Sequence, residues 1–370
     1  MTVRTFYKKL RRKLWDACLK NVVRGTYLAV QQKKYLNQIG VGKSCRTIVF
    51  LVPGRNEVNG GGVMSVFFIA RETERLKALH EADVFVCSLP GGPTLLRNTK
   101  FPNDQIIVDY DLLLSKFEKG ADVLVHIPEI FVPRFLHCER KKLESSELHW
   151  HFNILLQNID LAPRREDVDL LSKFGPTTVT TAHEAYSGIE TQKALGCAIH
   201  HLSAWTSLEP YERKAFVDRE NVFVISPDFY EGKREILAEL KRRLPDFRFV
   251  TVKRMTYFDY RKLIATAKFS LTFGEGLDGY YTEMIFGGGI GCAVYNERFF
   301  TKCFSELPFV YPSWEALLSR LPDDVRAVNS IDKFDLSNEA PYRLLSSMYS
   351  PEISRAKIKS YYSANFLPKK

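Results

Sequence analysis

The sequence of 370 residues lacks the features that would identify a membrane-spanning, exported, repetitive or dinucleotide-binding protein. No stretch approaches the about 18 consecutive apolar residues of a membrane-spanning helix, and no apolar run like that of a signal peptide follows the basic N-terminus. Internal repeats and low-complexity segments are missing. The triplet Gly60-Gly61-Gly62 lacks the Gly-x-Gly-x-x-Gly spacing of a dinucleotide fingerprint, which disfavours a dinucleotide-dependent oxidoreductase.

Paired metal or redox ligands are also missing from the sequence. The seven cysteines are odd in number, widely spaced and without a Cys-x-x-Cys pair, which predicts reduced, mostly structural thiols in a reducing compartment. His149 and His151 would share a face only in an extended segment, while His200 and His201 point apart on either kind of element. These histidines therefore give little support to a metal site.

The excess of positive charge is confined to the N-terminus. The formal net charge is +10, but residues 1–46 hold 12 Lys and Arg with Asp16 as their one acid, and the rest of the chain has 41 basic and 42 acidic groups. In residues 1–24, apolar positions follow one helical stripe with cationic side chains around it, and Trp15 suits a lipid headgroup boundary. We predict a basic amphipathic helix on an anionic membrane surface; a helix packed on the protein itself is the alternative. Because the body is neutral, we predict no nucleic-acid partner.

After residue 46, short β-branched and aromatic runs alternate with helical patterns such as Val63–Leu79 and Lys233–Arg243. Thr47–Val52 is a continuous apolar run typical of a buried parallel strand. The eight similar runs are Val84–Ser88, Gln105–Val108, Asp122–Ile127, Thr177–Thr181, Asn221–Ile225, Arg248–Val252, Phe269–Phe273 and Cys292–Tyr295. This alternation predicts parallel sheets with right-handed crossovers, and nine strands in a chain of this length indicate two domains with a seam between Ser203 and Asn221.

The segment 269–295 carries the strongest indication of chemistry. A strand-like run leads to the glycine-flanked Glu275, and a helix containing Glu283 follows before a second glycine-rich turn. Ligands of open α/β sheets bind at the carboxyl ends of strands, so the loop Gly274–Gly279 would line a crevice. Its glycines allow backbone N–H groups to approach an anion, and the helix N-terminus favours a phosphate. A carboxylate on this helix suits ribose hydroxyls, because it offers only acceptors.

Glu275 and Glu283 are separated by seven residues and precede the glycine-rich turn Gly287–Gly291. This arrangement resembles the C-terminal half of GT-B glycosyltransferases, in which such a Glu pair closes the nucleotide-sugar site. The resemblance implies an α/β GT-B fold of two Rossmann-like domains with a cleft between them, in addition to the basic helical arm. The implied boundaries are 1–45 for the arm, 46–205 for the acceptor domain, 206–335 for the nucleotide-sugar domain and 336–370 for a C-terminal helical tail.

Two segments of the first predicted domain extend the resemblance. Val49–Gly54, followed by Gly60, Gly61 and Gly62, looks like the first strand and glycine loop of the GT-B N-terminal domain, which lies near the donor phosphates and the acceptor. Thr178–Glu184 is similar to the strand with a histidine, here His183, that faces the cleft in such enzymes. The glycines could also merely permit a tight turn, and the histidine could be structural.

Val222–Lys233 resembles the first strand and loop of the nucleotide-binding domain, in which a basic pair grips the donor diphosphate. Ser226 and Pro227 stand where an Arg is common, which leaves Lys233 as the clear cation of this loop. Either another residue, such as Arg254, supplies the second cation, or the donor is held differently.

The resemblance implies a retaining transfer of a sugar from a nucleotide-sugar donor to a glycan or lipid-linked acceptor, as in polysaccharide biosynthesis, at the cytoplasmic face of the cell membrane. The nucleotide sugar is then a substrate, and neither a cofactor nor a metal ion is expected. Asp109-Tyr110-Asp111 has the form of a metal-binding Asp-x-Asp, but we interpret it as a strand-to-helix loop, because the family does not rely on such a motif.

The resemblance also implies roles for individual residues. Glu275 would bind hydroxyls of the transferred sugar, His183 would shape the acceptor side, and Lys233 would stabilise charge on the leaving diphosphate. The residues implied in donor binding are Gly60, Gly61, Gly62, Ser226, Lys233, Arg254, Gly276, Leu277 and Glu283. Two alternatives stay open, a nucleotide-sugar epimerase of the same fold and a nucleic-acid-binding protein that acts through the basic arm.

Overall fold

The structure is a computed structural model that describes residues 30–38, 45–53, 61–90, 106–203, 207, 210–253 and 255–366. The predicted basic helix at residues 1–24 lies outside the described residues. Within the described part, two separate β-sheets occur, and their paired strands run parallel. No helix in this part of the chain is long and apolar enough to cross a membrane.

Seven strands form the first sheet, in the order β3-β2-β1-β4-β5-β6-β7. The strand β1 lies inside the sheet between β2 and β4 and is buried along its whole length, as its continuous apolar run requires. The strands are β1 Arg46–Val52, β2 Asp83–Ser88, β3 Ile107–Asp109, β4 Asp122–Pro128, β5 His149–Leu156, β6 Thr177–Thr181 and β7 Ala198–His201.

Helices separate most strands of this first domain. Pro133 stands in the first turn of α5, where its missing N–H would have no helical acceptor. The helices are α1 at residues 30–38, α2 Gly61–Arg75, α3 Lys77–His80, α4 Tyr110–Leu114, α5 Val132–Ser145, α6 Arg165–Ser172 and α7 Ile189–Leu195, with short 3-10 turns at Glu129–Phe131, Ile159–Leu161 and Glu184–Tyr186.

The second sheet has the order β12-β11-β10-β8-β9. Chain order runs outward in opposite directions from β8 and β10, so the carboxyl ends of these two strands form a topological switch point, where ligands of open α/β sheets bind. The strands are β8 Glu220–Ile225, β9 Arg248–Thr251, β10 Ala267–Leu271, β11 Ile290–Val294 and β12 Val310–Tyr311. The helices are α8 Lys233–Arg243, α9 Tyr257–Thr266, α10 Gly279–Phe286, α11 Trp314–Val328, α12 Ile331–Tyr349 and α13 Pro351–Asn365.

All nine predicted runs overlap observed strands, but the sequence analysis missed β5, β7 and β12. Polar residues interrupt the apolar pattern of β5. They are tolerated there because neighbouring strands supply their hydrogen-bond partners. The buried Asn153 donates to Thr180 Oγ1 (2.8 Å) and lies 2.9 Å from His126 Nδ1. The omission matters, because the loop after β5 reaches the candidate site.

The end of the chain packs on the first domain. Tyr362 of α13 is buried, and its hydroxyl lies 3.0 Å from Thr73 Oγ1 and 2.9 Å from His126 Nε2. The Arg46 guanidinium donates to Phe366 O (3.0 Å) and lies over the Phe366 ring. The chain therefore crosses between the two sheets twice, once after β7 and once through α12 and α13.

Candidate active site

The carboxyl ends of β8 and β10 are tied together at the switch point. Ser226 follows β8 and is fully buried, and its Oγ accepts a hydrogen bond from Phe273 N (2.8 Å), while Ser226 N donates to Leu271 O (3.1 Å). The predicted donor-binding Ser226 therefore fixes the backbone from which the loop with Glu275 begins.

Glu275 lies between the two domains. Its Oε1 accepts a hydrogen bond from Asn158 Nδ2, and Asn158 belongs to the loop after β5 of the first domain. Burial, followed by the negative charge of Asp278, raises the Glu275 pKa to about 8, and the Asn158 hydrogen bond opposes this rise. The carboxyl group is thus held across the cleft in surroundings that resist its ionisation.

A second carboxyl group caps the helix that follows. Asp278 Oδ1 accepts from Tyr280 N (2.9 Å) and Tyr281 N (3.2 Å) at the start of α10, and Thr272 Oγ1 donates to Asp278 Oδ2. Burial raises the Asp278 pKa to about 7, and the nearby Asp228 adds to the rise. The first turn of α10 therefore already holds one carboxyl group.

Gly276 has a φ of +88°, in the left-handed region that favours glycine. A Cβ on this residue would lie 2.5 Å from Phe300 Cε2 and 3.0 Å from Val294 O. The next residue, Leu277, is buried. The glycine is therefore required both by backbone conformation and by close packing of the loop.

Glu283 is buried on α10, with 3% of its surface exposed. Its Oε1 lies 3.2 Å from the position of a Cβ on Gly279, one turn earlier, so the side chain points toward the beginning of the helix. Burial, followed by the charge of Glu283, raises the pKa of Tyr257 and Tyr260 on α9. The two predicted glutamates thus flank the first turns of α10, with Glu283 beside α9 and Glu275 facing the first domain.

Lys233 begins α8 and contacts its own loop. Its Nζ donates to Ser226 O (2.6 Å) and Asp228 O (2.8 Å) and lies 4.8 Å from the centre of the Phe273 ring. Burial lowers the Lys233 pKa. The ammonium group holds the loop between β8 and α8 in shape at the switch point; the other predicted cation, Arg254, lies outside the described residues.

The glycine loop of the first domain also approaches the cleft. Gly61 is the first residue of α2, and Gly60 lies outside the described residues. A Cβ on Gly62 would lie 2.1 Å from Gln157 Oε1, and Gln157 Nε2 donates to Gly62 O (3.0 Å). Gly62 therefore allows close approach by the loop after β5.

His183 is buried in an aromatic cluster. Its Nδ1 lies 3.4 Å from the Tyr349 hydroxyl, and its ring meets those of Tyr186 and Phe299 edge to face. Burial, with a smaller contribution from the charge of His201, lowers the His183 pKa to about 3. The imidazole is therefore neutral near pH 7, and Phe299 of the second domain covers it.

An open cavity of about 390 Å³ adjoins the Glu275 loop, within the size range of small-molecule sites. The ring of Trp314 stacks on Phe273 at 4.7 Å and lies at the same distance from Tyr230. The lining residues are Tyr230, Thr272, Phe273, Gly274, Gly276, Val294, Tyr295, Asn296, Glu297 and Trp314.

The sequence analysis missed the polar residues that surround Glu275. Glu129 is 5% exposed and accepts from Asn158 N (2.9 Å), and burial raises its pKa to about 7. Asp228 lies close to Gly274: a Cβ added to Gly274 would be 2.9 Å from Asp228 Oδ2. Glu129 and Asn158 both follow strands at the carboxyl edge of the first sheet. This signal is available for Glu129 after the predicted run Asp122–Ile127, whereas for Asn158 it requires the strand β5.

The Asp-x-Asp segment is a strand-to-helix junction, as the sequence analysis predicts. Asp109 ends β3 and caps α4 by accepting from Leu112 N (2.9 Å). Asp111 forms an ion pair with Lys142 (2.5 Å). Across the described residues, no group of three or more His, Cys, Asp or Glu side chains is arranged to hold a metal ion.

Comparisons with solved structures identify the architecture. An α-glucosyltransferase solved with UDP and a 13-mer DNA containing an HMU base is 7% identical and matches 86% of this chain and 98% of its own, with a TM-score of 0.58. Anabaena HepE, solved with UDP and glucose, is 9% identical over 86% of this chain and 99% of its own, with a TM-score of 0.51. The chain has the GT-B fold.

The same GT-B architecture occurs in a Listeria monocytogenes protein described as a UDP-N-acetylglucosamine 2-epimerase, which is 10% identical and matches 88% of this chain and 98% of its own, with a TM-score of 0.50. No protein-family model matched the sequence, and no curated protein matched it significantly. At these identities the similarity establishes the fold alone. Glu275 follows β10 at the switch point of the second sheet, and Glu283 lies on the next helix, α10.

Proposed function

We propose that the chain is a glycosyltransferase that moves a sugar from a nucleotide-sugar donor to a glycan or lipid-linked acceptor. One observation carries the proposal: Glu275 occupies the interdomain cleft at the switch point of a GT-B fold, in contact with Asn158 of the opposite domain, while Glu283 lies on the helix that follows. The solved relatives that contain UDP support a nucleotide-sugar donor.

The donor would lie along the loop from Gly274 to α10. In the proposed complex, Glu275 forms hydrogen bonds with hydroxyls of the transferred sugar and Glu283 with those of the ribose, since the oxygens of a carboxyl group can accept from hydroxyls. Backbone N–H groups at Gly276 and Leu277 would face the diphosphate. The adjoining aromatic-lined cavity of about 390 Å³ offers ring faces and a polar rim to the donor.

The leaving diphosphate needs positive charge, and Lys233 is the candidate from the described residues. Its ammonium has three donors and uses two of them on carbonyl groups, so the third could bind a phosphate oxygen. Gly60, Gly61, Gly62 and Arg254 remain candidates for the rest of this contact. Retention of configuration, in which the leaving diphosphate accepts the acceptor's proton, is part of the proposal and rests on the family resemblance.

His183 is proposed to shape the acceptor side as a neutral, buried wall. A pKa of about 3 makes the imidazole a poor proton acceptor near pH 7. The packing of His183 against Phe299 couples it to the second domain. Its proposed contribution is therefore to the form of the cleft.

The basic arm is proposed to bring the enzyme to an anionic membrane at the cytoplasmic face. Eight basic residues with Asp16 as the one acid in residues 1–24 give a charge pattern that suits such a surface. Cosedimentation with vesicles of phosphatidylcholine, with and without 30 mol% phosphatidylserine, tests this: we expect binding only to the anionic vesicles and its loss on deletion of residues 1–29. Equal sedimentation of the full and shortened chains would contradict it.

An epimerase of the same fold is the second candidate, because the Listeria protein shares this architecture. The two activities differ in product: a transferase releases a nucleoside diphosphate and extends an acceptor, while an epimerase inverts one centre of the sugar. The DNA in the α-glucosyltransferase complex makes DNA a further acceptor to include in the assay.

The test is incubation of the full chain with UDP-, GDP- and dTDP-sugars and a panel of lipid-linked saccharides, polysaccharide and DNA. We expect release of one nucleoside diphosphate and a mass increase of one sugar on a saccharide acceptor. Glu275→Gln should reduce this release at least tenfold, whereas the control Glu235→Gln, at an exposed residue of α8 that does not line the cavity, should change it less than twofold. Epimerised nucleotide sugar without release of the diphosphate would contradict the transferase proposal.

A further inference from the structure

Two consecutive residues connect the glycine loop of the first domain with Glu275 of the second. Gln157 Nε2 donates to Gly62 O (3.0 Å), and the Tyr186 hydroxyl donates to Gln157 O. The next residue, Asn158, donates from Nδ2 to Glu275 Oε1. The loop after β5 therefore contacts both segments that we propose to face the donor.

The direction of the Asn158 amide is fixed by its other partner. Asp160 N donates to the side-chain oxygen of Asn158 (2.7 Å), and a backbone N–H can only donate, so the NH₂ group must face Glu275. The backbone N–H of Asn158 donates to the buried Glu129 Oε1 (2.9 Å). Asn158 is thus held by its own backbone and by the turn to Asp160, and it presents a donor to the opposite domain.

The charged groups that face Glu275 come from each element packed around it. Asp278 of α10, Glu129 of the first domain and Asp228 of the loop after β8 are all acidic, and Tyr186 lies near enough to feel the Glu275 charge. Each of the three acids disfavours the ionised form of Glu275, and the Asn158 hydrogen bond favours it.

We propose that Asn158 is a positioning residue through which the first domain holds the Glu275 carboxyl group in the orientation that a sugar hydroxyl requires. The proposal rests on the function proposed above, in which Glu275 binds the transferred sugar. A carboxyl group has two oxygens, so one oxygen held by Asn158 leaves the other for a hydrogen bond with the sugar. Correct orientation of Glu275 then depends on contact between the two domains, which the bound donor would span.

Two variants remove the amide NH₂ group at this position and keep the side-chain acceptor of the turn. Asn158→Ser replaces the amide with a shorter hydroxyl that still accepts from Asp160 N, and Asn158→Asp keeps size and acceptor but loses the NH₂ group. Asp160→Asn is the matched control: it keeps the turn and weakens the exposed Asp160–Arg298 ion pair, which also joins the domains.

Two measurements on the full chain test the role. In the ligand-free protein, the Glu275 side chain is titrated by carbon-13 NMR, with its signal assigned through Glu275→Gln; we expect its midpoint to move upward in both Asn158 variants and to stay unchanged in Asp160→Asn. Calorimetry then compares UDP-glucose with UDP. We expect the Asn158 variants to bind UDP-glucose about tenfold more weakly than the unchanged protein, with UDP affinity within twofold.

The outcomes separate this inference from the proposed function. An unchanged midpoint of the Glu275 titration in Asn158→Ser would overturn the role of Asn158. This holds even if the midpoint moves in Asn158→Asp, because the added charge of the aspartate can move it without any loss of a hydrogen bond. Equal losses of UDP and UDP-glucose affinity, which indicate a merely structural effect, would also overturn the role of Asn158. If Glu275 responds to both variants but the unchanged protein binds neither UDP nor UDP-glucose, the contact stands and the UDP-sugar donor fails.

Discussion

At the residue scale, the cleft contains several buried carboxyl groups. Their ionisation lowers the stability of the folded protein, so their replacement by uncharged side chains would raise it. Burial is the main cause that raises the pKa of Glu275 to about 8 and those of Glu129 and Asp278 to about 7. Perturbed carboxyl groups in a cleft are typical of functional sites, because ligand hydroxyls can supply the hydrogen bonds that water no longer does. The cluster is therefore easier to explain by binding than by stability.

The first prediction concerns stability and pH. Folding raises the Glu275 pKa from 4.5 to about 8. The contribution of this group to the free energy of unfolding is therefore fully present below about pH 4.5 and is lost as the pH rises through 8. Glu275→Gln should remove this loss. We expect the melting temperature of the variant to exceed that of the unchanged protein at pH 9 by about 2–4 °C for each kcal/mol recovered, with little difference at pH 4.5. Scanning calorimetry checks this, with Glu297→Gln as the exposed control.

The second prediction concerns Glu283. Glu283→Gln keeps the size of this buried side chain but replaces one carboxyl oxygen with an NH₂ group, and we expect about tenfold or greater loss of affinity for the nucleoside diphosphate that the protein binds. Calorimetric titration of the full chain measures it, with Glu235→Gln on the exposed side of α8 as the control. Unchanged affinity in a folded variant would remove Glu283 from the ribose site.

At the element scale, the loop between β10 and α10 takes its shape from a glycine and a cap. Asp278 caps α10, and Gly276 supplies the positive φ together with close contacts to Phe300 and Val294. Both residues lie within three positions after Glu275, and Phe273 before it donates from its backbone N to Ser226 Oγ, so the loop that presents the carboxyl group is fixed on both sides. Its rigidity is local and can be tested separately from binding.

The third prediction compares two glycines with similar backbone conformation. Gly276 has a φ of +88° in crowded surroundings, and Gly120 has a φ of +77° with nothing within 4 Å of an added Cβ. Gly120→Ala should therefore cost about 1–2 kcal/mol of the free energy of unfolding, from the backbone alone. Gly276→Ala should cost more by about 1–3 kcal/mol, because the methyl group meets Phe300 and Val294 O. Urea unfolding measures both, and equal costs would contradict the packing account.

The sequence predicts those elements whose apolar pattern is unbroken. Thr47–Val52 agrees with the fully buried β1, and Lys233–Arg243 agrees with α8, whose buried residues Ile236 and Leu240 lie four positions apart on one helical face. The strand β5 was not predicted, since Asn153 is polar and is satisfied only by residues of the neighbouring strands. The loop that follows β5 was missed for the same reason.

The residues of the candidate site also fall into two groups, those that a local sequence pattern predicts and those that it does not. Glu275 and Glu283 are found from the sequence because their spacing and the surrounding glycines are local. Asn158 follows the strand β5, which its polar residues hide, and its partner Glu275 is 117 positions away in the sequence. Glu129 follows a predicted strand, but its role depends on its contact with Asn158. The carbonyl contacts of Lys233 likewise follow from loop conformation, which residue type does not specify.

At the scale of the whole molecule, the end of the chain stabilises the domain at its beginning. The helix α13 is the last described element, yet Tyr362 lies buried between Thr73 and His126 of the first domain. Because the chain returns through α12, the two domains are linked by two covalent connections. Such a link limits how far the cleft can open.

The fourth prediction tests this return. Tyr362→Phe removes a hydroxyl with two buried partners, Thr73 and His126, and should lower the free energy of unfolding by about 1–3 kcal/mol. Tyr361→Phe is the matched control, since its hydroxyl meets Thr178 Oγ1, which also has Asn153 Oδ1 as a partner. We expect a smaller loss there. Urea unfolding followed by far-ultraviolet circular dichroism measures both variants, and an equal loss would contradict the importance of the Tyr362 network.

The measurement that tests the central claim most directly is thermal stabilisation of the full chain by UDP, GDP, dTDP, CMP and ADP, each with and without magnesium. A ligand that binds only the folded protein raises its melting temperature according to its affinity and concentration. We predict a shift with one nucleoside diphosphate, independent of magnesium and lost in Glu283→Gln. If none of these nucleotides shifts the melting temperature, the nucleotide-sugar site proposed at Glu275 and Glu283 is contradicted.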